Sequence, residues 1–197
     1  MKRTARAALR NREAIAAALD ELLPPAGTVL ELGSGTGEHA LFLAARFPGL
    51  TWQPSDPDPE ARASIAAWAA EAGLPNLRPP LDLDLRADAW HAVQAEALLC
   101  LNVLHVTPWP VAEALFAGAA RALAPGRPLV IEGPFPRGDA PLAGRLARLE
   151  RELSAHDPAL GVRRVERLAA LGRDAGLRLV EEVVMPEEGD RLLAFWR

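Results

Sequence analysis

The fold is decided by the stretch Thr28-Val29-Leu30-Glu31-Leu32-Gly33-Ser34-Gly35-Thr36-Gly37-Glu38. The short, mostly apolar run Thr28 to Leu32 predicts a strand. The glycines predict a tight turn, and Glu38 to Phe47, stopped by Pro48-Gly49, predicts a helix. Glycine directly after a first strand lets backbone approach a ligand closely, and the next helix presents unpaired N–H groups at its start. The unit therefore reads as a cradle for a nucleotide-like cofactor, with a plain tight connection as the alternative. A dinucleotide fingerprint requires glycine at its first, third and sixth positions. Here the sixth is Glu38, whose bulk and charge oppose a pyrophosphate. A nicotinamide or flavin oxidoreductase is disfavoured on that ground.

Outward from this stretch, strands and helices alternate. Upstream, Ala8, Ile15, Leu19 and Leu22 share one face of a helix between Ala5 and Leu23, ended by Pro24-Pro25. Downstream come a strand Leu50 to Gln53, a turn Pro54 to Pro57, and a helix to Gly73 capped by Asp58 with Pro59 at its first position. An extended Leu77 to Leu83, a helical Ala87 to Glu96, a strand Ala97 to Asn102, a helix Val111 to Ala124 and a strand Leu129 to Glu132 follow. A charged helix Leu142 to Ala155, a linker Asp157 to Gly161 and a helix ending near Gly176 lead to two last strands, Leu177 to Met185 and Arg191 to Trp196. Their short connection fits an antiparallel hairpin. These elements imply one α/β domain over residues 1–197: a doubly wound, mostly parallel seven-stranded sheet with an antiparallel last strand, opened by a docking helix within 1–23.

Composition narrows the function classes. The chain has 197 residues, 50% hydrophobic, enough to bury its own core. Its net charge of −4 is the wrong balance for coating nucleic acid, so no nucleic-acid partner is expected. The lone Cys100 excludes an internal disulfide framework and a cysteine-based metal centre within one chain. His39, His91, His105 and His156 lie on separate segments without ligand-like spacing, so no metal site is expected, and His91 and His156 read as surface residues. With neither a signal peptide's apolar core nor an unbroken membrane span, a cytoplasmic protein without a membrane partner is expected. Oligomeric state is left open.

Three segments carry candidate chemistry. Asp56 follows Gly37 by nineteen positions at the end of the second strand, where a carboxylate can accept hydrogen bonds from both ribose hydroxyls. Asp58 reads instead as a helix cap. Asp82 and Asp84 fall on the same side of an extended segment, and either can accept from an adenine amino group; Asp84 is preferred. Leu101 to Pro110 leaves the fourth strand at the carboxyl edge of the sheet, where such folds bind ligands, and its polar residues Asn102 and His105 are expected to face the cofactor and the acceptor. His105 either accepts a proton from the acceptor or hydrogen-bonds a loop carbonyl and shapes the turn. Trp109 and Phe135 either wall the pocket or pack a loop onto the core.

Glu31 to Gly37 resembles the first motif of class I S-adenosylmethionine-dependent methyltransferases, whose cofactor carries no phosphate. Together with Arg10-Asn11-Arg12, the run Thr51-Trp52-Gln53-Pro54-Ser55-Asp56-Pro57-Asp58, Asn102 to Trp109 and Gly133-Pro134-Phe135, it resembles an uncharacterised methyltransferase-like family within that class, formerly known as a domain of unknown function. The resemblance implies the Rossmann-like seven-stranded methyltransferase sheet with an inserted reversed last strand, and S-adenosyl-L-methionine held by Glu31, Gly33, Ser34, Gly35, Gly37, Asp56, Asp84 and Asn102. Glu31 would orient the cofactor's methionine end; a strand-end carboxylate bonded to nearby backbone is the alternative. The family has no settled substrate. This chain departs from it at Ala5-Arg6, where members usually carry Ser-Pro, and at Ala140 to Leu146, where they are Ser/Asn-rich. The cofactor half is kept and the substrate half altered, which implies a different acceptor or reduced transfer. The expected activity is methyl transfer to a small-molecule nucleophile, with catalytic roles for His105 and Asn102 and pocket walls from Trp109 and Phe135. The alternative is a protein that holds S-adenosylmethionine or its demethylated product without transfer.

Overall fold

The alternation of apolar side chains along the central strands sorts the helices onto two faces of one sheet. The computed structural model describes residues 1–87, 90 and 93–197. Its elements are α1 (Arg6–Leu19), β1 (Gly27–Leu32), α2 (Glu38–Arg46), β2 (Leu50–Ser55), α3 (Pro59–Ala72), β3 (Ala97–Leu101), α4 (Trp109–Ala122), β4 (Pro128–Pro134), α5 (Gly144–His156), α6 (Val165–Asp174), β5 (Arg178–Val184) and β6 (Asp190–Trp196). Leu30, Leu98, Cys100, Leu129, Ile131, Leu193 and Phe195 pack with Leu115 and Phe116 of α4 and Leu168 of α6. Their strand neighbours Val29, Leu99, Val130, Leu192 and Ala194 pack with Ile15 and Leu19 of α1 and Leu43 of α2. The period of two thus makes each of these strands buried on both sides, as expected of a covered parallel sheet.

Among the described residues the sheet has six strands in the order β2-β1-β3-β4-β6-β5. β1 runs parallel to β2 and β3, and β3 parallel to β4. β6 slots between β4 and β5, antiparallel to both. The seventh strand expected over Leu77 to Leu83 is absent: that segment's backbone pairs with β2 only through isolated bridges, Trp52 to Leu77 and Ser55 to Leu81. Pro79 and Pro80 stand between the bridges and lack the N–H groups a ladder needs, so pairing lapses there. Asp58 caps α3 as its spacing predicts, accepting from Glu60 N at 2.9 Å. The expected helix Ala87 to Glu96 and the surface placement of His91 fall on residues 88, 89, 91 and 92, outside the described residues. Among the described residues no helix is long and apolar enough to cross a membrane.

Candidate functional site

The parallel strands β1, β2 and β3 end on one edge of the sheet, and their loops build the site. Gly33 has a φ of +71°, and a Cβ there would come within 2.8 Å of Val103 in the loop after β3. Gly37, at the head of α2, has a φ of +89° and would set a Cβ 2.9 Å from Ile65 Cα. Any other residue at these two positions meets both a backbone and a packing penalty. Ser34 stitches the first two loops together: its N–H donates to Ser55 O at 2.8 Å, and its Oγ accepts from Ser55 N at 3.2 Å.

A cavity of about 440 Å³ opens on this edge. Gly33, Gly35, Asp56, Asp84 and Asn102 line it, with apolar walls from Leu83, Leu85, Val103, Val106 and Val111. The Asp56 carboxylate bridges two loops, accepting from Gly35 N at 2.8 Å and from Asp58 N at 2.9 Å. A Cβ built at Gly35 meets nothing within 4 Å, so glycine there keeps room open at the cavity's edge. Asp84 pairs with Arg86 at 2.6 Å, and the hydrogen bonds and charge of that arginine hold its carboxyl below the usual range. Asp82 points elsewhere, pairing with Arg62 at 2.9 Å.

Glu31, Ser34 and Gly37 are not in that lining. Glu31 is buried on the α1/α2 face and accepts from Trp52 Nε1 at 2.6 Å. Its partner is therefore an indole, not the neighbouring backbone. Burial, reinforced by the nearby Asp56, lifts its carboxyl to about 7 even though the indole bond opposes this.

Asn102 leaves β3 with a φ of +58°, a left-handed conformation that asparagine tolerates better than most residues. Its N–H donates to Glu132 O at 2.9 Å and its Nδ2 to Glu132 Oε2 at 2.7 Å. Glu132, fully buried near the end of β4, also accepts from Asn11 Nδ2 of α1 at 3.2 Å, and burial raises its carboxyl to about 8. Asn11 Oδ1 in turn accepts from His39 Nε2 at 2.9 Å, and burial lowers His39 to about 4. Glu132 and His39 went unrecognised in the sequence, although a carboxylate inside the apolar run Leu129 to Gly133 was a usable signal.

His105 is buried at 9% exposure, and its Nδ1 has no hydrogen-bond partner. Burial, with the positive charges of Arg145 and Arg163, lowers it to about 4. The ring abuts the core beside Gly133, where a Cβ would meet Phe135 Cζ at 3.1 Å and His105 Nδ1 at 3.4 Å. His105, expected to face the acceptor, and Trp109 and Phe135, expected as pocket walls, are not in the cavity lining. Trp109 sits at the start of α4 with the Arg167 guanidinium 3.6 Å from its ring centroid, and its Nε1 donates to Glu113. Phe135 is wholly enclosed in the core with Phe116 and Phe195.

Residues 2–197 match the family described as "Protein of unknown function (DUF938)". The chain belongs to this family. The resemblance drawn from Glu31 to Gly37 and the Trp52 to Asp58 run agrees with that membership. Its fold is the one seen in methyltransferases. An O-methyltransferase family protein from Burkholderia thailandensis superposes with a TM-score of 0.79 at 21% identity, covering 94% of this chain and 55% of that one. A putative O-methyltransferase from Nostoc punctiforme gives 0.80 at 16%, covering 94% and 55%. The S-adenosylmethionine-dependent methyltransferase SibL gives 0.76 at 21%, covering 96% and 55%. This DUF938 member thus spans about half the length of these structures, and at such identities what they share with it is the fold.

Proposed function

We propose that this chain binds S-adenosylmethionine in the cavity at the ends of β1, β2 and β3 and directs its methyl group to a small-molecule acceptor. The observation that carries the reading is the cavity itself. A glycine loop leaves room at its edge, the carboxylate of Asp56 follows β2, that of Asp84 lies on the segment between α3 and β3, and apolar side chains wall the space between, an acceptor set that suits a nucleoside's hydroxyls and amino group and repels a pyrophosphate. Asp56 keeps further lone pairs for ribose hydroxyls, since each of its oxygens spends one on a backbone N–H. Asp84 serves the adenine amino group, and Leu83, Leu85 and Val111 flank the base. Glu31 acts through Trp52, fixing the floor beneath the glycine loop.

When bound, the cofactor supplies an electrophilic methyl group. The protein's task is then to align an acceptor and exclude water, effects that can contribute roughly 7 to 11 kcal/mol when reactants are well oriented. His105 is a poor base for that acceptor: it is not in the cavity lining, its Nδ1 is buried beside Gly133, and burial with nearby arginines holds it near 4. Alignment therefore carries most of the rate.

S-adenosylhomocysteine at 100 times its dissociation constant should raise stability by about 2.7 kcal/mol, read as a higher Tm. Asp56→Ala should abolish the shift, and NADH should give none. A shift with NADH and none with S-adenosylhomocysteine would overturn the reading. Binding without labelled-methyl transfer to any of a broad metabolite set would favour a holding protein.

A further inference from the structure

We propose that Glu132 is a positioning residue that couples the docking of α1 to the shape of the cofactor cavity, because its two carboxylate oxygens hold Asn11 of α1 and Asn102 of the cavity wall at the same time. The proposal rests on the cofactor reading for what the cavity holds, and on geometry alone for the coupling.

The clamp on Asn102 is double. The backbone N–H goes to Glu132 O at 2.9 Å and the side-chain amide to Oε2 at 2.7 Å. Together they hold a non-glycine residue at a φ of +58° on the cavity wall. The other oxygen takes the Asn11 amide at 3.2 Å. Asn11 is buried at 4% exposure and spends its own carbonyl on His39, the second residue of α2. Helix α1 and the loop after β3 therefore meet on one carboxyl group, and α2 joins them one hydrogen bond away, through Asn11. The other charged groups acting on it are Asp190 of β6 and Arg145 of α5, which pair with each other at 2.7 Å.

The arrangement has two consequences. Apolar packing of Ile15, Ala16 and Leu19 against the sheet brings Asn11 to Glu132. If α1 lifts, one oxygen loses its amide and the site admits water, so the bond to Asn102 weakens as well. Conversely, a ligand that needs Asn102 in its left-handed position favours the docked helix. Linkage requires the two effects to be equal in size.

The test begins without ligand. In Asn11→Ala, backbone hydrogen exchange at Asn102, whose N–H is bonded to Glu132, should accelerate by roughly 5- to 150-fold. Unchanged exchange there would overturn the proposal. If that variant does not fold, Glu132→Gln replaces it, since glutamine keeps the size but can accept from only one of the two amides. Exchange should then rise both in α1 and at Asn102, and a rise at one without the other counts against coupling. S-adenosylhomocysteine, titrated into the wild-type chain, separates this idea from the proposed function. Binding that also slows exchange in α1 supports both, and binding that leaves α1 unmoved overturns the link to the cavity. No binding at all overturns the cofactor reading, and the coupling then stands or falls on the ligand-free exchange.

Discussion

The ends of β1 and β4 carry the same device with different outputs. Each strand places a glutamate just ahead of a glycine, Glu31 before Leu32-Gly33 and Glu132 before Gly133, and each turns it toward the α1/α2 face. Glu31 answers groups close by, the Trp52 indole from the neighbouring strand and the Ser34 hydroxyl three residues on. Glu132 answers two, from a helix and a loop far apart in sequence. A carboxyl whose partners are near neighbours fixes local structure, whereas one shared between distant elements makes them depend on each other.

The largest effect should come from breaking the shared site. Glu132→Leu leaves two buried amides without a partner, at about 1 to 3 kcal/mol each, and should lower urea-unfolding stability at pH 6 accordingly. Glu31→Leu orphans only the indole and should cost about 1 to 3 kcal/mol. Equal losses in the two variants would erase the distinction drawn here.

Protonation sharpens it next. Glu31 and Glu132 are raised to about 7 and about 8, so the folded state holds their protons longer than the unfolded chain. Their stabilisation is complete below the unfolded carboxylate value and is lost as pH rises through those two values. His39 and His105, lowered to about 4, act oppositely: their contribution is complete above the unfolded histidine value and is lost as pH falls toward 4. Above about pH 6.5 only the carboxyls still act, so stability should fall toward pH 8 with a slope up to about 1.4 kcal/mol per unit for each group. Glu132→Gln should flatten the upper part of that fall, measured by denaturant titration at several pH values, and Glu31→Gln the lower part.

The smallest effect belongs to an exposed carboxylate at the end of β2. Asp58→Ala removes the α3 cap and should cost about 0.5 to 2 kcal/mol while leaving S-adenosylhomocysteine binding nearly unchanged. Loss of binding in this variant, with binding kept in Asp56→Ala, would exchange the two roles.

What could be read from the sequence was whatever short-range chemistry determines. The glycine turn after β1, the Asp58-Pro59 helix start and the last hairpin each depend on residues a few positions apart. Leu77, Leu81 and Leu83 have a strand's even spacing, but Pro79-Pro80 between them break the ladder. At Glu132 the carboxylate stands out in its apolar run but its partners do not: they lie 121 and 30 positions away, and no local pattern records a hydrogen bond across that separation. Trp109 and Phe135 flank the right loops for either pocket walls or core packing, and only the three-dimensional contacts decide: a guanidinium on α6 and the core beneath β4 claim their rings.

The insertion of β6 between β4 and β5 also governs how the sheet assembles. Although β5 comes earlier in the chain, among the described residues it pairs with β6 alone, and until β6 arrives β4 presents an apolar edge with unpaired backbone groups. Such an edge is a template for pairing with other chains, and closing it joins segments distant in sequence, which slows folding. Slippage of β6 by one residue would turn Leu192 and Leu193 to the wrong faces at once. The interval before this strand locks in is therefore when newly made chains are most exposed to aggregation, and a substitution that weakens β6 should show up in the yield of refolded protein sooner than in the finished fold.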